Sequence, residues 1–236
     1  MSQIPLEVNL PGAGFLALVG SGEYLPAMEE VDRWLLQQLS GPARVVTLAT
    51  AAGSEGSQRL CYWDELGVRH FSSLGVDSVE PLPVVDRKSA EDERLADLIR
   101  QANFVYLSGG KPGYLYHTLA GSPVWQAICS VLEQGGVVAG CSAGAMIFGE
   151  QIPGIRNLVQ LGPGFGFLPR SFIVPHFDEI PQVLRNGLSA LHPQSRLIGI
   201  EGYTALVCTR QGCQVRGRGQ VYISKGDTFL HYRQED

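Results

Sequence analysis

Short apolar runs alternate with segments of helical period along the first two thirds of the chain. Phe15-Leu-Ala-Leu-Val19 is apolar throughout and ends in the turn Gly20-Ser21-Gly22, which predicts a strand buried on both faces. From Tyr24 to Leu39, the residues Leu25, Met28, Val31, Leu35, Leu36 and Leu39 recur at helical spacing. Arg44 to Ala49 reads as a second strand and Gln58 to Leu66 as a second helix. Val79 to Val85 is interrupted by prolines, which places it near a sheet edge. Leu95, Leu98 and Ile99 share one face of a helix spanning Ala90 to Gln101. Phe104-Val-Tyr-Leu107, a helix from Pro123 to Glu133, and Val137-Val-Ala139 continue the alternation, the last strand running straight into Gly140.

Fully apolar strands separated by helices predict a parallel sheet covered on both faces, an α/β sandwich of three layers. After Ile173 the pattern changes. Arg196 to Ile200, Thr204 to Thr209, Gln214 to Arg216, Gln220 to Ile223 and Thr228 to Tyr232 are close-spaced strand-like runs separated by glycine turns. They read as a C-terminal antiparallel extension of the same sheet. With no linker, repeat or low-complexity stretch, residues 1–236 read as a single domain.

Composition narrows the function classes. A net charge of −5 and only 17% charged residues leave no basic footprint for nucleic acid. No apolar stretch approaches the ~18–20 residues that span a bilayer, and the first ten residues lack a secretory signal. The five cysteines are scattered without a C-x-x-C pair and read as reduced thiols in a cytoplasmic protein. No H-E-x-x-H or clustered histidines call for a metal or other cofactor, and a homodimer is compatible with the sequence.

The most informative segment is Gly136-Val-Val-Ala-Gly-Cys-Ser-Ala-Gly-Ala-Met-Ile-Phe-Gly149, which holds G-x-S-x-G at Gly140, Ser142 and Gly144. A serine on a sharp strand-to-helix turn needs nearly side-chain-free neighbours, and Gly140, Ala143, Gly144 and Ala145 supply them. The turn leaves the Ala143 amide outward, able to hold an oxyanion. The symmetric glycines put residue 142 at the apex and turn the rival nucleophile Cys141 aside. Among five histidines, His176 follows the strand-like Ser171-Phe-Ile-Val-Pro175 and so sits at a strand end, where parallel-sheet folds place their sites. Glu201 follows Arg196-Leu-Ile-Gly-Ile200, again at a strand end, and is the preferred carboxylate to fix the imidazole. Asp178 and Glu179 are nearer in sequence, but side chains two or three residues along often point elsewhere; Glu150 lies too far from the serine. Leu107-Ser-Gly-Gly-Lys-Pro-Gly113 exposes amides suited to an oxyanion hole at Gly110 or, as second choice, Gly109. It is not a Walker loop. Gly20-Ser21-Gly22-Glu23 is a similar loop, suited to another wall of the cleft, and lacks the third glycine of a dinucleotide fingerprint.

Together these segments resemble the cyanophycinase and aspartyl dipeptidase (peptidase E) family of serine peptidases, whose flavodoxin-like fold is related to class I glutamine amidotransferases. The resemblance rests on Leu107-Ser-Gly-Gly110, Gly140-Cys-Ser-Ala-Gly-Ala145, Gly162-Pro-Gly-Phe-Gly-Phe-Leu168 with Pro175-His-Phe177, and Gly199-Ile-Glu-Gly202 before Thr204-Ala-Leu206. It implies Ser142 as nucleophile, His176 as general base, Glu201 as orienting acid, and Gly110 and Ala143 as oxyanion donors. The expected activity is hydrolysis of small peptides through an acyl-enzyme. Two departures bear on substrate: Lys111 stands where the family commonly has a polar residue such as Asn or Asp, and could pair with a substrate carboxylate; Glu201-Gly202 follows the dipeptidase branch. A cyanophycinase-like isopeptidase, a glutamine-amidotransferase-like enzyme or esterase, and a non-catalytic binding module on the same scaffold are the other readings.

Overall fold

A computed structural model of the chain describes residue 4 and residues 6–154, 160–226 and 228–234. In the first part of the chain the strands are β1 (Phe15–Val19), β2 (Arg44–Leu48), β3 (Ser78–Pro81), β4 (Phe104–Leu107) and β5 (Val137–Cys141). Between them run helices α1 (Glu29–Leu36), α2 (Ser57–Ser73), α3 (Arg87–Ala90), α4 (Glu93–Gln101), α5 (Pro112–Leu119) and α6 (Pro123–Glu133). A short helix α7 (Ala143–Met146) follows, then β6 (Gly149–Pro153), β7 (Leu161–Pro163), β8 (Leu168–Val174), α8 (Gln182–Leu191) and β9 (Arg196–Ile200). Two hairpins close the chain: β10 (Thr204–Thr209) with β11 (Gly212–Gly217), and β12 (Gln220–Lys225) with β13 (Thr228–Arg233).

The larger sheet has the order β11-β10-β1-β5-β4-β2-β3. Its five strands from β1 to β3 are parallel, and β10 and β11 extend it antiparallel. Period-two alternation sorts its side chains between two apolar layers. Ala17, Val19, Phe104 and Tyr106 meet Val31 and Leu35 of α1 and Phe71 of α2. On the opposite face, Leu16, Leu18, Val105 and Val138 join the cluster holding Ile99 of α4, Leu115 of α5 and Ile128 of α6. The chain therefore forms the expected α/β sandwich. Local signals set the helix starts: Asp92 accepts from the Arg94 amide ahead of α4, and Ser122 from the Trp125 amide ahead of α6, with Pro123 in its first turn.

The C-terminal runs divide differently from the expectation. Only β10 and β11 join the first sheet; β9, β12 and β13 belong to a second sheet, β13-β12-β9-β8-β6-β7. The physical reason is the β8–α8–β9 crossover, which pairs β8 and β9 in parallel and draws the final hairpin onto β9. An apolar run predicts a strand but not its partner. Ile173, Ile198 and Ile200 of this sheet face the same core as Leu16 and Leu18 of the larger one; Leu188 of α8 covers Phe172 and Leu197 on its other face.

Three local readings also change. The helix expected over Tyr24 to Leu39 is a 3-10 turn at Pro26–Met28 followed by α1, because Tyr24 takes a positive φ of 62°. The second helix runs on to Ser73. Cys208 and Cys213, opposite one another across the β10–β11 hairpin, form a disulfide rather than two reduced thiols, leaving Cys61, Cys129 and Cys141 free. Among the described residues no helix is long and apolar enough to cross a membrane.

Beneath the first core layer lies a polar pair, His70 Nε2 with Asp32 Oδ2 at 2.7 Å, both side chains almost fully buried. Burial raises the Asp32 carboxyl above its ordinary range, while the bond to His70 pulls it down. Replacing one member strands the other in an apolar layer. The variant His70→Ala is expected to lose about 3–5 kcal/mol of stability, read from urea unfolding midpoints.

Candidate active site

The C-terminal ends of β1, β4 and β5 open onto one side of the larger sheet, and β8 of the smaller sheet ends facing them. Ser142 stands between β5 and α7 with φ 51° and ψ −111°, a conformation that costs a non-glycine residue roughly 1–3 kcal/mol. Its amide is held by the Val19 carbonyl at 3.0 Å. The flanking glycines are a steric necessity. A Cβ at Gly140 would lie 2.3 Å from the Gly144 carbonyl oxygen, and one at Gly144 would lie 2.4 Å from the Leu107 carbonyl oxygen. Spacing and small residues thus produce the turn that the sequence predicted.

His176 follows β8 in the left-handed region, φ 52° and ψ 36°. Its Nε2 lies 3.2 Å from Ser142 Oγ, so side chains 34 positions apart meet across the two sheets. Its Nδ1 lies 2.9 Å from Glu179 Oε1. Glu201, the carboxylate preferred from sequence, shares no hydrogen bond with this histidine. One of its oxygens accepts from the Gln220 amide at 2.8 Å and the other from the Tyr222 hydroxyl at 3.0 Å. The cause is β12, which pairs antiparallel with β9 and brings donors to both oxygens. Asp178 turns away to accept from the Gly202 amide. Glu179 reaches the ring because a single 3-10 turn, Phe177–Glu179, folds back after the left-handed histidine. The sequence signal was the His-Phe-Asp-Glu spacing of three; what it lacked was the backbone conformation of His176.

Gly110 has φ 147°, and a Cβ there would lie 2.5 Å from the Ala51 carbonyl, so only glycine suits this turn. The Gly109 amide, the alternative donor, is already committed to Glu23 Oε1 at 3.0 Å. Ala143 is the first residue of α7, where amides lack an intrahelical acceptor. Glu23 was anticipated only as part of a cleft wall. Its other oxygen accepts from the Cys141 thiol at 3.0 Å. Burial, reinforced by this carboxylate, pushes the Cys141 thiol well above its ordinary range, and its full burial sets it apart from the accessible, low-pKa thiols that act as nucleophiles.

Lys111 donates from Nζ to Ser54 Oγ at 2.9 Å. It also lines a groove of about 910 Å³ walled by Tyr114, Tyr116 and His117 on one side and by Ile152 and Gln160 on the other. Among the described residues no cluster of three or more His, Cys, Asp or Glu side chains is arranged to hold a metal ion.

Comparison with known proteins gives this geometry a context. A crystal structure of a peptidase from an acI-B1 Actinobacterium superposes with a TM-score of 0.84 at 35% identity, covering 95% of this chain and 96% of that one. A crystal structure described as a putative peptidase E protein from Listeria monocytogenes superposes with a TM-score of 0.63 at 20% identity, over 87% and 99%, and shares the fold. Cyanophycinase of Trichormus variabilis is 30% identical over 176 residues, 70% of this chain and 59% of that protein. Cyanophycinase of Synechococcus elongatus is 27% identical over 223 residues, 89% of this chain and 67% of that protein. The chain thus spans roughly three fifths to two thirds of the curated relatives' length. Residues 16–216, which include the elbow, the histidine turn and both glycine loops, match the family model Peptidase family S51, and the chain belongs to that family.

Proposed function

We propose that this chain is a serine peptidase that hydrolyses peptide bonds in short peptides, with Ser142 as nucleophile, His176 as general base and Glu179 as the carboxylate that orients the base. The 3.2 Å approach of His176 Nε2 to Ser142 Oγ carries the proposal, because two side chains remote in sequence meet at hydrogen-bond distance on a strained turn. Ser142 Oγ attacks the carbonyl carbon as its proton passes to His176 Nε2. The oxyanion accepts from the Gly110 and Ala143 amides. Collapse breaks the C–N bond, and the leaving amine takes the proton from Nε2. Water then attacks the ester, its proton going to His176, and the acid departs as Ser142 Oγ is reprotonated.

Glu179 is 66% exposed and His176 41%, so their pairing adds at most about 1 kcal/mol to stability. Its service is to hold Nδ1 as the protonated nitrogen and aim Nε2 at the serine. Lys111, next to Gly110, would draw a substrate carboxylate; the groove that it helps to line is walled by neither Ser142 nor His176. A cytoplasmic setting belongs to the proposal; the free thiols Cys61, Cys129 and Cys141 support it, and the Cys208–Cys213 disulfide weighs against it. The names of the curated relatives favour a second reading, cleavage of isopeptide bonds by the same steps.

A fluorophosphonate probe is expected to label the protein and not its Ser142→Ala variant, which should lose about 10⁴–10⁶-fold in turnover on a dipeptide panel while keeping its fold. Turnover of cyanophycin in place of dipeptides would select the isopeptidase reading. Glutamine or ester turnover alone would point to the amidotransferase-like or esterase reading, and absence of labelling would leave a binding module. A second comparison separates the two glutamates. Glu179→Gln should lower kcat about 10-fold or more, while Glu201→Gln should cost about 1–2 kcal/mol of stability with kcat nearly unchanged; the reverse outcome would return Glu201 to the histidine.

A further inference from the structure

Glu23 stands outside the proton path yet touches two of the turns that build the site. It follows β1 at the end of Gly20-Ser21-Gly22, and its carboxylate bridges the turn after β4, through the Gly109 amide, to the end of β5, through the Cys141 thiol. The carboxylate and the nucleophile flank the same glycine. A Cβ at Gly109 would lie 2.8 Å from Glu23 Oε1 and 3.5 Å from Ser142 Cβ. Behind this glycine the turn is held from the other side, where the Lys111 amide donates to the Ala51 carbonyl at 2.9 Å. The Gly109–Gly110 peptide is therefore gripped at both ends, by Glu23 before it and by Ala51 after it.

Two consecutive glycine amides have the freedom to present either N–H to a bound carbonyl. Committing the Gly109 amide to Glu23 removes that choice. We infer that Glu23 is a positioning residue for the oxyanion site: by accepting the Gly109 N–H and the Cys141 S–H it fixes the glycine turn so that the Gly110 N–H faces the oxygen of the carbonyl attacked by Ser142. This rests on the serine mechanism proposed above. Preorganised donors stabilise developing charge without reorganising during the reaction, and Glu23 supplies that preorganisation at one of the two donors. The role needs an acceptor oxygen rather than a charge. A glutamine retains the oxygen for Gly109 and places its amide against the thiol sulfur, a weak acceptor.

The test compares Glu23→Ala and Glu23→Gln with the unsubstituted chain, each checked for folding by thermal unfolding. The ¹H–¹⁵N resonance of the Gly109 amide, recorded in a Ser142→Ala background, reports the hydrogen bond without any turnover. It should move upfield in Glu23→Ala and keep most of its position in Glu23→Gln. In the Ser142 protein, Glu23→Ala should lower kcat by about 10- to 100-fold with KM changed less than about 3-fold, and Glu23→Gln should recover most of that loss. A folded Glu23→Ala protein with an unshifted Gly109 resonance or an unchanged kcat would overturn the inference. A Glu23→Gln protein as impaired as Glu23→Ala, with the loss in KM, would overturn it in favour of a charge that binds a substrate cation. Retained turnover in Ser142→Ala would instead defeat the serine mechanism and leave the Gly109 result standing.

Discussion

The spacing between the two sheets is the constraint on which the site depends. Ser142 ends a strand of one sheet and His176 a strand of the other, so a 3.2 Å contact between them fixes how the sheets sit against each other. The chain meets this demand with a very short connection. The four residues of α7 separate the elbow from Ile147, and β6 of the second sheet begins at Gly149. β6 then pairs in parallel with β8, the strand that delivers the histidine. Aliphatic side chains from both sheets fill the space between in one continuous core. Packing at this density transmits displacement rather than absorbing it, so Ser142 and His176 are positioned by the same residues that hold the molecule together.

Of the five non-glycine residues described with positive φ, Arg170 lies within β8 and the other four follow strand ends. Tyr24, Ser142, His176 and Tyr203 all have positive φ, and they follow β1, β5, β8 and β9 respectively. Each is an unfavourable conformation for a side-chain-bearing residue, and hydrogen bonds to neighbouring elements hold Tyr24, Ser142 and Tyr203. The Ser142 amide is tied to Val19, and the Tyr203 amide to the Ser21 carbonyl. The buried Tyr24 hydroxyl shares a hydrogen bond with Ser108, one residue ahead of Gly109. The loops after β1 and β4 are thus joined by side-chain bonds before any substrate arrives.

What could be read from the sequence was local. The elbow was legible because its geometry forbids Cβ atoms at fixed offsets: Gly140 is crowded by Gly144 within the turn and Gly144 by the distant Leu107 carbonyl, yet both fall where the G-x-S-x-G spacing puts them. The central strands were legible because burial on both faces leaves an uninterrupted apolar run. The partner of His176 was not, since Glu201 and His176 both sit at strand ends and only the pairing of β12 with β9, set by side chains twenty residues downstream, decides that Glu201 is consumed by Gln220 and Tyr222. The same long-range pairing split the C-terminal strands between two sheets. Glu23 was hidden for a related reason: a carboxylate after a glycine turn says nothing of its acceptor role until β1, β4 and β5 are aligned.

The serine and the histidine of the proposed mechanism differ in how they are anchored. Ser142 grows out of the interior, whereas His176 and Glu179 ride together on one half-exposed surface turn, three positions apart. Between them Phe177 is fully buried against Phe172 and Leu188, and Asp178 accepts from the Gly202 amide, so the turn is riveted to the second sheet by its middle. Under the serine mechanism proposed above, rewording its two outward side chains alone would silence hydrolysis while the rivets, and the layer beneath them, stay in place.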